Sequence, residues 1–379
     1  MRKEIVIQTD ENKLIENLGS RKDPEGLRMK RFLDMPDLSR TETSPIHEIS
    51  NRIINIPEYK DFYIIKVPEI VPADISFDLF DFPADHPARS RSDTYYVDDK
   101  NILRTHTTVM WYYLLNDSEI KEKLLKKEAI GAFCFGKVYR KDEIDRRHMN
   151  IFHQMDGLYL APKDSEPIIK ETLQDVLVKI AQAVFGQEVK YRINDDKFPY
   201  TDPSLEMEIE VEGKWVEVLG SGLVRDSVLD KLGVDSSVYN AWAFGFGLER
   251  LAIISMTLPD IRLLWSQDPR IIKQLKLGNK FQEVSKYPPV TRDISFIVDK
   301  SFIPNDYFDL IRDIVGDLIE EVTLLDKYEN AGKFGSDKVS YTYRIIYRSP
   351  DRTLKTDEVD PLQNQLYQKT KEIYQAQLR

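Results

Sequence analysis

The chain of 379 residues is 41% hydrophobic and 31% charged, with 19 Pro and 16 Gly, a composition that excludes a disordered or fibrous protein. No apolar run approaches the roughly 20 residues of a membrane-spanning helix, so we expect no membrane partner. The net charge of −10 argues against broad non-specific binding to nucleic acid, and a single cysteine, Cys134, excludes an internal disulfide.

The first 45 residues are polar and of mixed charge, and only residues 11–18 show weak helical periodicity. We predict that they form an N-terminal extension or a partner-facing arm. The start has neither a secretory apolar core nor the acid-poor composition of a transit peptide. We therefore expect a cytoplasmic protein, with an organelle as the alternative.

A helix and a strand are predicted next. Residues 44–54 carry isoleucines at spacings of three and four, which is typical of an amphipathic helix, and residues 62–67 form an apolar strand-like run. Two distinctive sequence motifs follow this helix and strand. Residues 77–97 contain Asp-His-Pro-Ala-Arg and then Asp-Thr-Tyr-Tyr, and residues 103–108 are Leu-Arg-Thr-His-Thr-Thr. Residues 111–126 are then predicted to be helical.

The centre of the chain, residues 135–160, predicts two strands joined by a charged loop. Arg140 ends the first strand and offers a planar fork of donors for a phosphate or a carboxylate. On the second strand, Phe152 can stack a base. Gln154 and Asp156 lie two residues apart, hence on one face, and can accept hydrogen bonds from an ammonium group. From these residues alone, a surface hairpin with a charged tip is an equally good interpretation.

The following elements include a helix, a hairpin and a strand-to-helix junction. Residues 166–185 have the apolar face of an amphipathic helix. Residues 207–224 begin with alternating apolar and acidic residues and predict strands around a turn at 212–213. Residues 245–250, Gly-Phe-Gly-Leu-Glu-Arg, predict a strand that leads into a helix starting near Arg250.

The last 95 residues form a separate pattern. Strands are predicted at 286–298, 320–328 and 338–349, with helices at 304–315 and 357–376. This β-α-β-β-α order is that of the split βαβ, ferredoxin-like arrangement. A small-molecule-sensing or dimerisation domain of the same fold is the alternative function for it.

Taken in order, these motifs resemble the class II aminoacyl-tRNA synthetases, and among them the single-chain, mitochondrial-type phenylalanine–tRNA ligases. Residues 139–157 resemble motif 2, residues 245–250 resemble motif 3, and residues 286–296 with 352–354 resemble the fused anticodon-binding domain. The resemblance implies an α+β fold, with an antiparallel-sheet catalytic domain and a C-terminal ferredoxin-like β-α-β-β-α-β domain. We predict an extension at 1–45, the catalytic domain at 46–275 and the anticodon-binding domain at 276–379.

The resemblance also implies roles for individual residues. Arg140 would bridge the α-phosphate and the amino-acid carboxylate, and Arg250 would clamp the γ-phosphate, so these two are the predicted catalytic residues. The ATP site would comprise Arg140, Asp142, His148, Phe152, Glu217 and Arg250. The amino-acid site would comprise His106, Thr108, Gln154, Asp156, Phe198, Tyr200, Thr201 and Ala243. Without the resemblance, His106 would be interpreted as a buried structural histidine.

The sequence also offers candidate Mg²⁺ ligands, and it differs from the family pattern at several site positions. Asp202 and Glu217 are candidate Mg²⁺ ligands because Mg²⁺ favours carboxylate and phosphate oxygens, although a solvent-facing strand glutamate is an equal alternative. Thr108 replaces the usual Ser, Asp156 the usual Glu and Tyr200 the usual second Phe of Phe-Pro-Phe-Thr. Residues 147–150 replace the usual Thr-His-x-Pro. Tyr200 bears most directly on which ring the pocket accepts.

The resemblance implies a monomeric phenylalanine–tRNA ligase that uses ATP, Mg²⁺, L-phenylalanine and tRNA(Phe). Two alternatives stay open. One is a paralogue that activates an aromatic amino acid without charging tRNA. The other is a non-catalytic RNA-binding or partner-binding relic, which is disfavoured because Arg140, Phe152, Gln154 and Arg250 are all present.

Overall fold

The computed structural model describes residues 3–165, 168–283, 287–349 and 351–379. The described residues form two compact units. The first comprises the described residues within 1–140, 151–258 and 275–280, and the second comprises those within 141–150, 259–274 and 281–379.

The first unit is organised around a large sheet. Its strands are β1 (Glu4–Val6), β2 (Tyr63–Lys66), β3 (Ile70–Pro72), β4 (Asn101–Leu103), β5 (Ile130–Tyr139), β6 (Ile151–Pro162), β7 (Tyr191–Asp196), β8 (Thr201–Val211), β9 (Lys214–Val224) and β10 (Tyr239–Gly247). Eight of these described strands form one sheet in the order β1-β2-β5-β6-β10-β9-β8-β7, and β3 pairs with β4. In this order, every neighbouring pair from β5 to β7 is antiparallel, whereas the pairs β1–β2 and β2–β5 are parallel.

The described helices of the first unit lie on both faces of this sheet. They are α1 (Glu11–Ser20), α2 (Pro24–Asp34), α3 (Pro45–Ile54), α4 (Ala73–Phe77), α5 (Met110–Asn116), α6 (Ser118–Leu125), α7 (Lys170–Phe185), α8 (Asp226–Lys231) and α9 (Leu248–Met256). Among them, α3, α7 and α9 pack against one another, and α7 and α9 also contact β9 and β6. On the other face, α4, α5, α6 and α8 share an apolar core with Leu158 and Leu160 of β6. This is the face that carries Asp156 and the site described below.

Local sequence explains several element boundaries. Ser44 caps α3 by accepting a 3.2 Å hydrogen bond from the Ile46 N–H, and Pro45 opens the helix. The single helix predicted over 111–126 is in fact two, because Asp117 is extended and caps α6 through the N–H groups of Glu119 and Ile120. The helix predicted from residue 166 begins at residue 170, and residues 166–167 lie outside the described residues.

The β8–β9 hairpin confirms the predicted turn. Glu212 and Gly213 both have positive φ, at 52° and 79°. A two-residue hairpin turn of this kind needs positive φ at both central positions, and glycine meets that need without steric cost.

The N-terminal segment, expected to be an extension or a partner-facing arm, is a packed part of the first unit. Strand β1 pairs with β2, and Met29 and Phe32 on α2 are buried. Lys137, buried on β5, donates hydrogen bonds of 2.9 and 2.8 Å to the carbonyl oxygens of Leu33 and Met35 at the end of α2. The buried partner lies about 100 residues away in the chain, so local periodicity does not reveal this packing.

The second unit contains the predicted ferredoxin-like domain. Its strands and helices are α10 (Pro269–Ile272), β11 (Val290–Asp299), α11 (Pro304–Val315), β12 (Ile319–Tyr328), α12 (Ala331–Phe334), β13 (Lys338–Tyr347), α13 (Thr356–Tyr374) and β14 (Gln377–Leu378). The sheet order is β12-β13-β11-β14, with antiparallel pairing throughout. The strand predicted from residue 286 begins at Val290, and Lys286 is outside the described residues.

The α+β fold predicted from the sequence is thus confirmed, with one addition, the parallel strands β1 and β2 at the edge of the large sheet. Across the described ranges, no helix combines the length and apolar character that crossing a bilayer requires.

Candidate active site

Strand β6 separates a polar site from the helices behind it. Its period of two places Phe152, Gln154 and Asp156 on one face, and His153 and Met155 on the other. This confirms that Gln154 and Asp156 share a face, as their spacing predicts.

Asp156 is the buried anion of this face. The hydroxyl groups of Thr107 and Thr108 both donate to its carboxylate, Thr108 at 2.8 Å. Burial raises the pKa of Asp156 to about 6, although the two threonine hydroxyls and the nearby guanidinium of Arg140 oppose that rise. The site therefore holds a carboxylate that ionises near neutral pH and is suited to bind an ammonium group.

Gln154 and Arg140 are held by the backbone of the same loop. The Thr107 N–H donates to Oε1 of Gln154 at 3.3 Å, and Nε of Arg140 donates to the Thr105 carbonyl oxygen at 2.9 Å. The Arg140 guanidinium carbon lies 5.1 Å from the centre of the Phe152 ring. Arg140 and Phe152, both predicted to contact ATP, are therefore neighbours.

His106 presents an unused acceptor. Its Nε2–H donates to the Ser76 carbonyl oxygen at 2.9 Å, so Nδ1 carries no proton. Within the described part of the chain, this buried Nδ1 has no hydrogen-bond partner. Burial lowers the pKa of His106 to about 4, and Arg140 and Arg104 add to that effect. A neutral ring with a free acceptor can receive a hydrogen bond from a substrate.

Aromatic side chains form a wall beside this polar end. Tyr200 stacks on Phe198 with ring centres 6.1 Å apart. It meets Phe80 and Trp111 edge to face, at 5.7 and 5.8 Å. Burial raises the pKa of the Tyr200 hydroxyl, so it stays protonated. Such a wall favours an aromatic ligand, because ring pairs prefer these edge and offset arrangements.

The floor between the wall and Asp156 is made of small residues. Ala243 pairs with Gly222, and Gly245 pairs with Gly220 and with Asp156. A Cβ atom at Gly245 would lie 3.0 Å from Oδ1 of Asp156, and one at Gly220 would lie 3.1 Å from the Phe198 ring. Because Gly245 and Gly220 lack a Cβ atom, the Asp156 carboxylate and the Phe198 ring can lie directly over the sheet backbone.

Thr201 closes one end of this floor. It is buried, its hydroxyl lies 2.8 Å from that of Ser204, and its Cβ atom occupies the space above Gly222. These contacts are with the protein, and a contact of Thr201 with the amino acid stays a prediction.

Arg250 lies in the first turn of α9 and reaches β9. Its Nη1 donates to the Glu217 carbonyl oxygen at 3.3 Å and lies 3.6 Å from the Glu217 carboxylate. Both side chains are about half exposed, at 52% and 53%. An exposed guanidinium beside a helix N-terminus can bind an anionic phosphate.

The two predicted metal ligands are far apart. Asp202 follows Thr201, which pairs with Val224, whereas Glu217 pairs with Glu208. At about 3.3 Å per residue, the two carboxylates are separated by roughly 20 Å along the strands. They cannot share one ion. No cluster of three or more His, Cys, Asp or Glu side chains is placed to hold a metal in the described segments.

Comparison with known proteins places this chain in a family. Residues 31–275 match the profile of the tRNA synthetases class II core domain (F), and residues 285–379 match the ferredoxin-fold anticodon binding domain. The chain belongs to the class II tRNA synthetases. The anticodon-binding domain predicted at its C-terminal end is likewise confirmed.

Curated relatives of this synthetase share most of their length with it. It is 40% identical to the chloroplastic/mitochondrial phenylalanine–tRNA ligase of Arabidopsis thaliana, over 82% of this chain and 71% of the relative. It is 36% identical to the mitochondrial phenylalanine–tRNA ligase of Mus musculus, over 78% and 70%. It is 32% identical to that of Saccharomyces cerevisiae, over 80% of both chains.

Two predicted ATP-site residues of the synthetase belong to the second unit. Asp142 and His148 lie in the loop 141–150, which packs with that unit through Ile144 in its apolar core. Within the loop, Asp145 accepts a 2.8 Å hydrogen bond from Nδ1 of His148. Their roles at ATP stay predictions.

Three residues that support the site of the synthetase were not predicted from the sequence. Ser76 fixes the proton position on His106, and Thr107 binds both Asp156 and Gln154. Glu249, next to Arg250, accepts hydrogen bonds from buried His153. Thr107 and Glu249 lie inside the recognised motifs, so the sequence indicated that they are near the site. Their hydrogen-bond partners could not be predicted, because those partners depend on the fold.

Proposed function

We propose that this synthetase is a phenylalanine–tRNA ligase. In the first step, a carboxylate oxygen of L-phenylalanine attacks the α-phosphorus of ATP. The bond from that phosphorus to the β-phosphate oxygen breaks, which gives phenylalanyl-adenylate and pyrophosphate. In the second step, the phenylalanyl group passes to the terminal adenosine of tRNA(Phe), and AMP leaves.

The observation that carries this proposal is the pairing of a polar end with an aromatic wall over a floor of small residues. Asp156 and Nδ1 of His106 would accept hydrogen bonds from the α-ammonium group, and the stacked rings of Phe198 and Tyr200 would flank the phenyl ring. The small side chain of Ala243 would leave depth for that ring. The names of the curated relatives point to the same amino acid.

We assign the phosphate chemistry to the two arginines. Arg140 would contact the α-phosphate and the substrate carboxylate, and relieve the repulsion between these anions as charge develops. Arg250 would hold the γ-phosphate. The attacking carboxylate is already ionised, so the step needs neither a protein nucleophile nor a general base, and positioning supplies most of the effect.

Magnesium fits Glu217, and Asp202 lies too far from Glu217 to bind the same ion. Glu217 is exposed next to Arg250, where an ion bound to ATP phosphates would find a carboxylate. When bound, Mg²⁺ would neutralise phosphate charge. Glu208, opposite Glu217, already accepts hydrogen bonds from Arg192 and Asn194, so we assign it a supporting role.

We also propose the domains, the oligomeric state, the tRNA partner and the compartment of the enzyme. Residues 46–275 would form the catalytic domain and 276–379 the anticodon-binding domain, and the enzyme would act as a monomer on tRNA(Phe). The expected cytoplasmic location finds no support among the relatives, which are named mitochondrial or chloroplastic. We therefore propose an enzyme of the organellar type.

Amino-acid-dependent ATP–pyrophosphate exchange tests the proposal. It should be measured with each standard amino acid and followed by charging of a tRNA(Phe) transcript. Exchange with phenylalanine together with charging would bear out the proposal. Exchange without charging would favour a paralogue, and the absence of both exchange and ATP binding would favour a non-catalytic relic.

A further inference from the structure

His153 lies in the middle of the substrate strand but faces away from the substrate. Its neighbours Phe152 and Gln154 lie on the face of the site, whereas the His153 side chain is completely buried on the face of β6 that packs against α9. The proposed function assigns it no role.

The hydrogen bonds of His153 define its ring. The Leu38 N–H donates to Nε2 at 2.9 Å, so this nitrogen carries no proton. The other nitrogen, Nδ1, therefore carries the proton and donates to Oε1 of Glu249 at 2.6 Å. The carboxylate of Asp37 also lies 3.4 Å from Nε2, farther away than Leu38.

Glu249 is held by His153 through both backbone and side chain. The His153 backbone N–H lies 2.9 and 2.8 Å from the two carboxylate oxygens, in addition to the bond from Nδ1. The Glu249 side chain is only 4% exposed. A buried carboxylate that loses such a donor pays a desolvation penalty, so this contact is well placed to fix geometry.

Glu249 immediately precedes Arg250 in the first turn of α9. The backbone of β10 leads into that turn from Gly247, which pairs with Gln154. The His153–Glu249 contact therefore ties the strand that carries Phe152 and Gln154 to the helix start that carries Arg250. On its other side, His153 ties the same strand to the N-terminal segment at Leu38.

We propose that His153 is a positioning residue for ATP. Through Glu249 it holds the start of α9 in register with β6, so that Arg250 and Phe152 meet one ATP molecule. The inference rests on the proposed function for the identity of the reaction, but it concerns ATP binding itself. The contact to Leu38 anchors His153 and does not bear on ATP.

Two variants of similar shape test the contact of His153 with Glu249 separately from its contact with Leu38. In His153→Asn, the side-chain N–H₂ lies near the place of Nδ1 and keeps the donor to Glu249. In His153→Gln, the side-chain oxygen lies near the place of Nε2 and keeps the acceptor for Leu38, but the donor to Glu249 is lost. His47→Gln is the matched control, because Nδ1 of His47 lies 2.9 Å from the Ser39 carbonyl oxygen in the same N-terminal segment.

The readouts are the Kd for Mg–ATP by calorimetry, the KM for ATP and for phenylalanine in exchange, and the Tm. We expect H153Q to weaken ATP binding about tenfold with little change in the KM for phenylalanine. H153N and H47Q should stay within about threefold of the unsubstituted enzyme. Glu249→Gln combined with H153Q should be no worse than H153Q alone, because both remove one contact.

The proposal would be overturned if H153N and H153Q lost equal affinity for ATP and showed the same fall in Tm. His153 would then have a purely structural role. Unchanged ATP affinity in H153Q would overturn it as well. If the unsubstituted protein binds ATP but exchanges with no amino acid, the proposed function fails. The calorimetric comparison of the variants would still decide the role of His153.

Discussion

The carboxylate of Asp156 accepts a 2.8 Å hydrogen bond from the hydroxyl of Thr108. Both residues depart from the pattern of the synthetases that the chain resembles, where Glu and Ser are usual. The shorter carboxylate stays close to β6, and the two threonine hydroxyls of residues 107 and 108 reach it there. The two departures therefore belong to one local arrangement.

Substitution of Thr108 tests this arrangement. Thr108→Val keeps the shape but removes the donor, and we expect it to raise the KM for phenylalanine at least about tenfold, since a hydrogen bond to a charged group contributes about 1.5–3 kcal/mol. Thr108→Ser keeps the hydroxyl and should change the KM by less than about threefold. Equal effects in the two variants would contradict a role for the hydroxyl.

Arg140 and Arg250 are expected to be essential for adenylate formation. Arg140→Ala and Arg250→Ala should each reduce ATP–pyrophosphate exchange at least about a hundredfold, because a preorganised charge at the reacting phosphates is lost. Arg140→Lys keeps the charge but not the planar fork, and should stay at least tenfold impaired. Unchanged circular dichroism and Tm are the controls. Near-normal exchange in both alanine variants would refute the site assignment.

Much of the fold and part of the site followed from the sequence. The period of two placed Gln154 and Asp156 on one face of a strand, and the turn at 212–213 followed from local residue types. The Asp202–Glu217 pair failed as one metal site because sequence does not give strand register over such a span. The packing of the N-terminal segment and the His153–Glu249 contact depend on partners distant in the chain.

Tyr200 is expected to act through its ring more than through its hydroxyl. The ring contacts Phe198, Phe80 and Trp111, whereas among the described residues no hydrogen bond fixes the hydroxyl. Tyr200→Phe should keep exchange with phenylalanine within about threefold. Tyr200→Ala should raise the KM at least tenfold, because it removes aromatic contacts of about 0.5–1.5 kcal/mol each together with buried surface. A loss in Y200F as large as in Y200A would assign the effect to the hydroxyl.

The separation of Asp202 from Glu217 makes metal dependence testable. Glu217→Gln should raise the Mg²⁺ concentration that gives half-maximal exchange, by about tenfold, because a carboxylate beside the phosphates is lost. Asp202→Asn, about 20 Å away along the sheet, should leave that concentration unchanged. Titration of Mg²⁺ at fixed ATP measures both. A matching shift in D202N would contradict the strand register.

The pKa of Asp156 predicts the pH dependence of phenylalanine use. Its value of about 6 means that the carboxylate is largely protonated below pH 6 and ionised above it. Because kcat/KM reports the free enzyme, kcat/KM for phenylalanine should fall about tenfold per pH unit below 6 and level off above. His106, with a pKa of about 4, stays neutral over that range and adds no slope. Asp156→Asn should be weaker at neutral pH and nearly independent of pH. A slope that persists in D156N would locate the titrating group elsewhere.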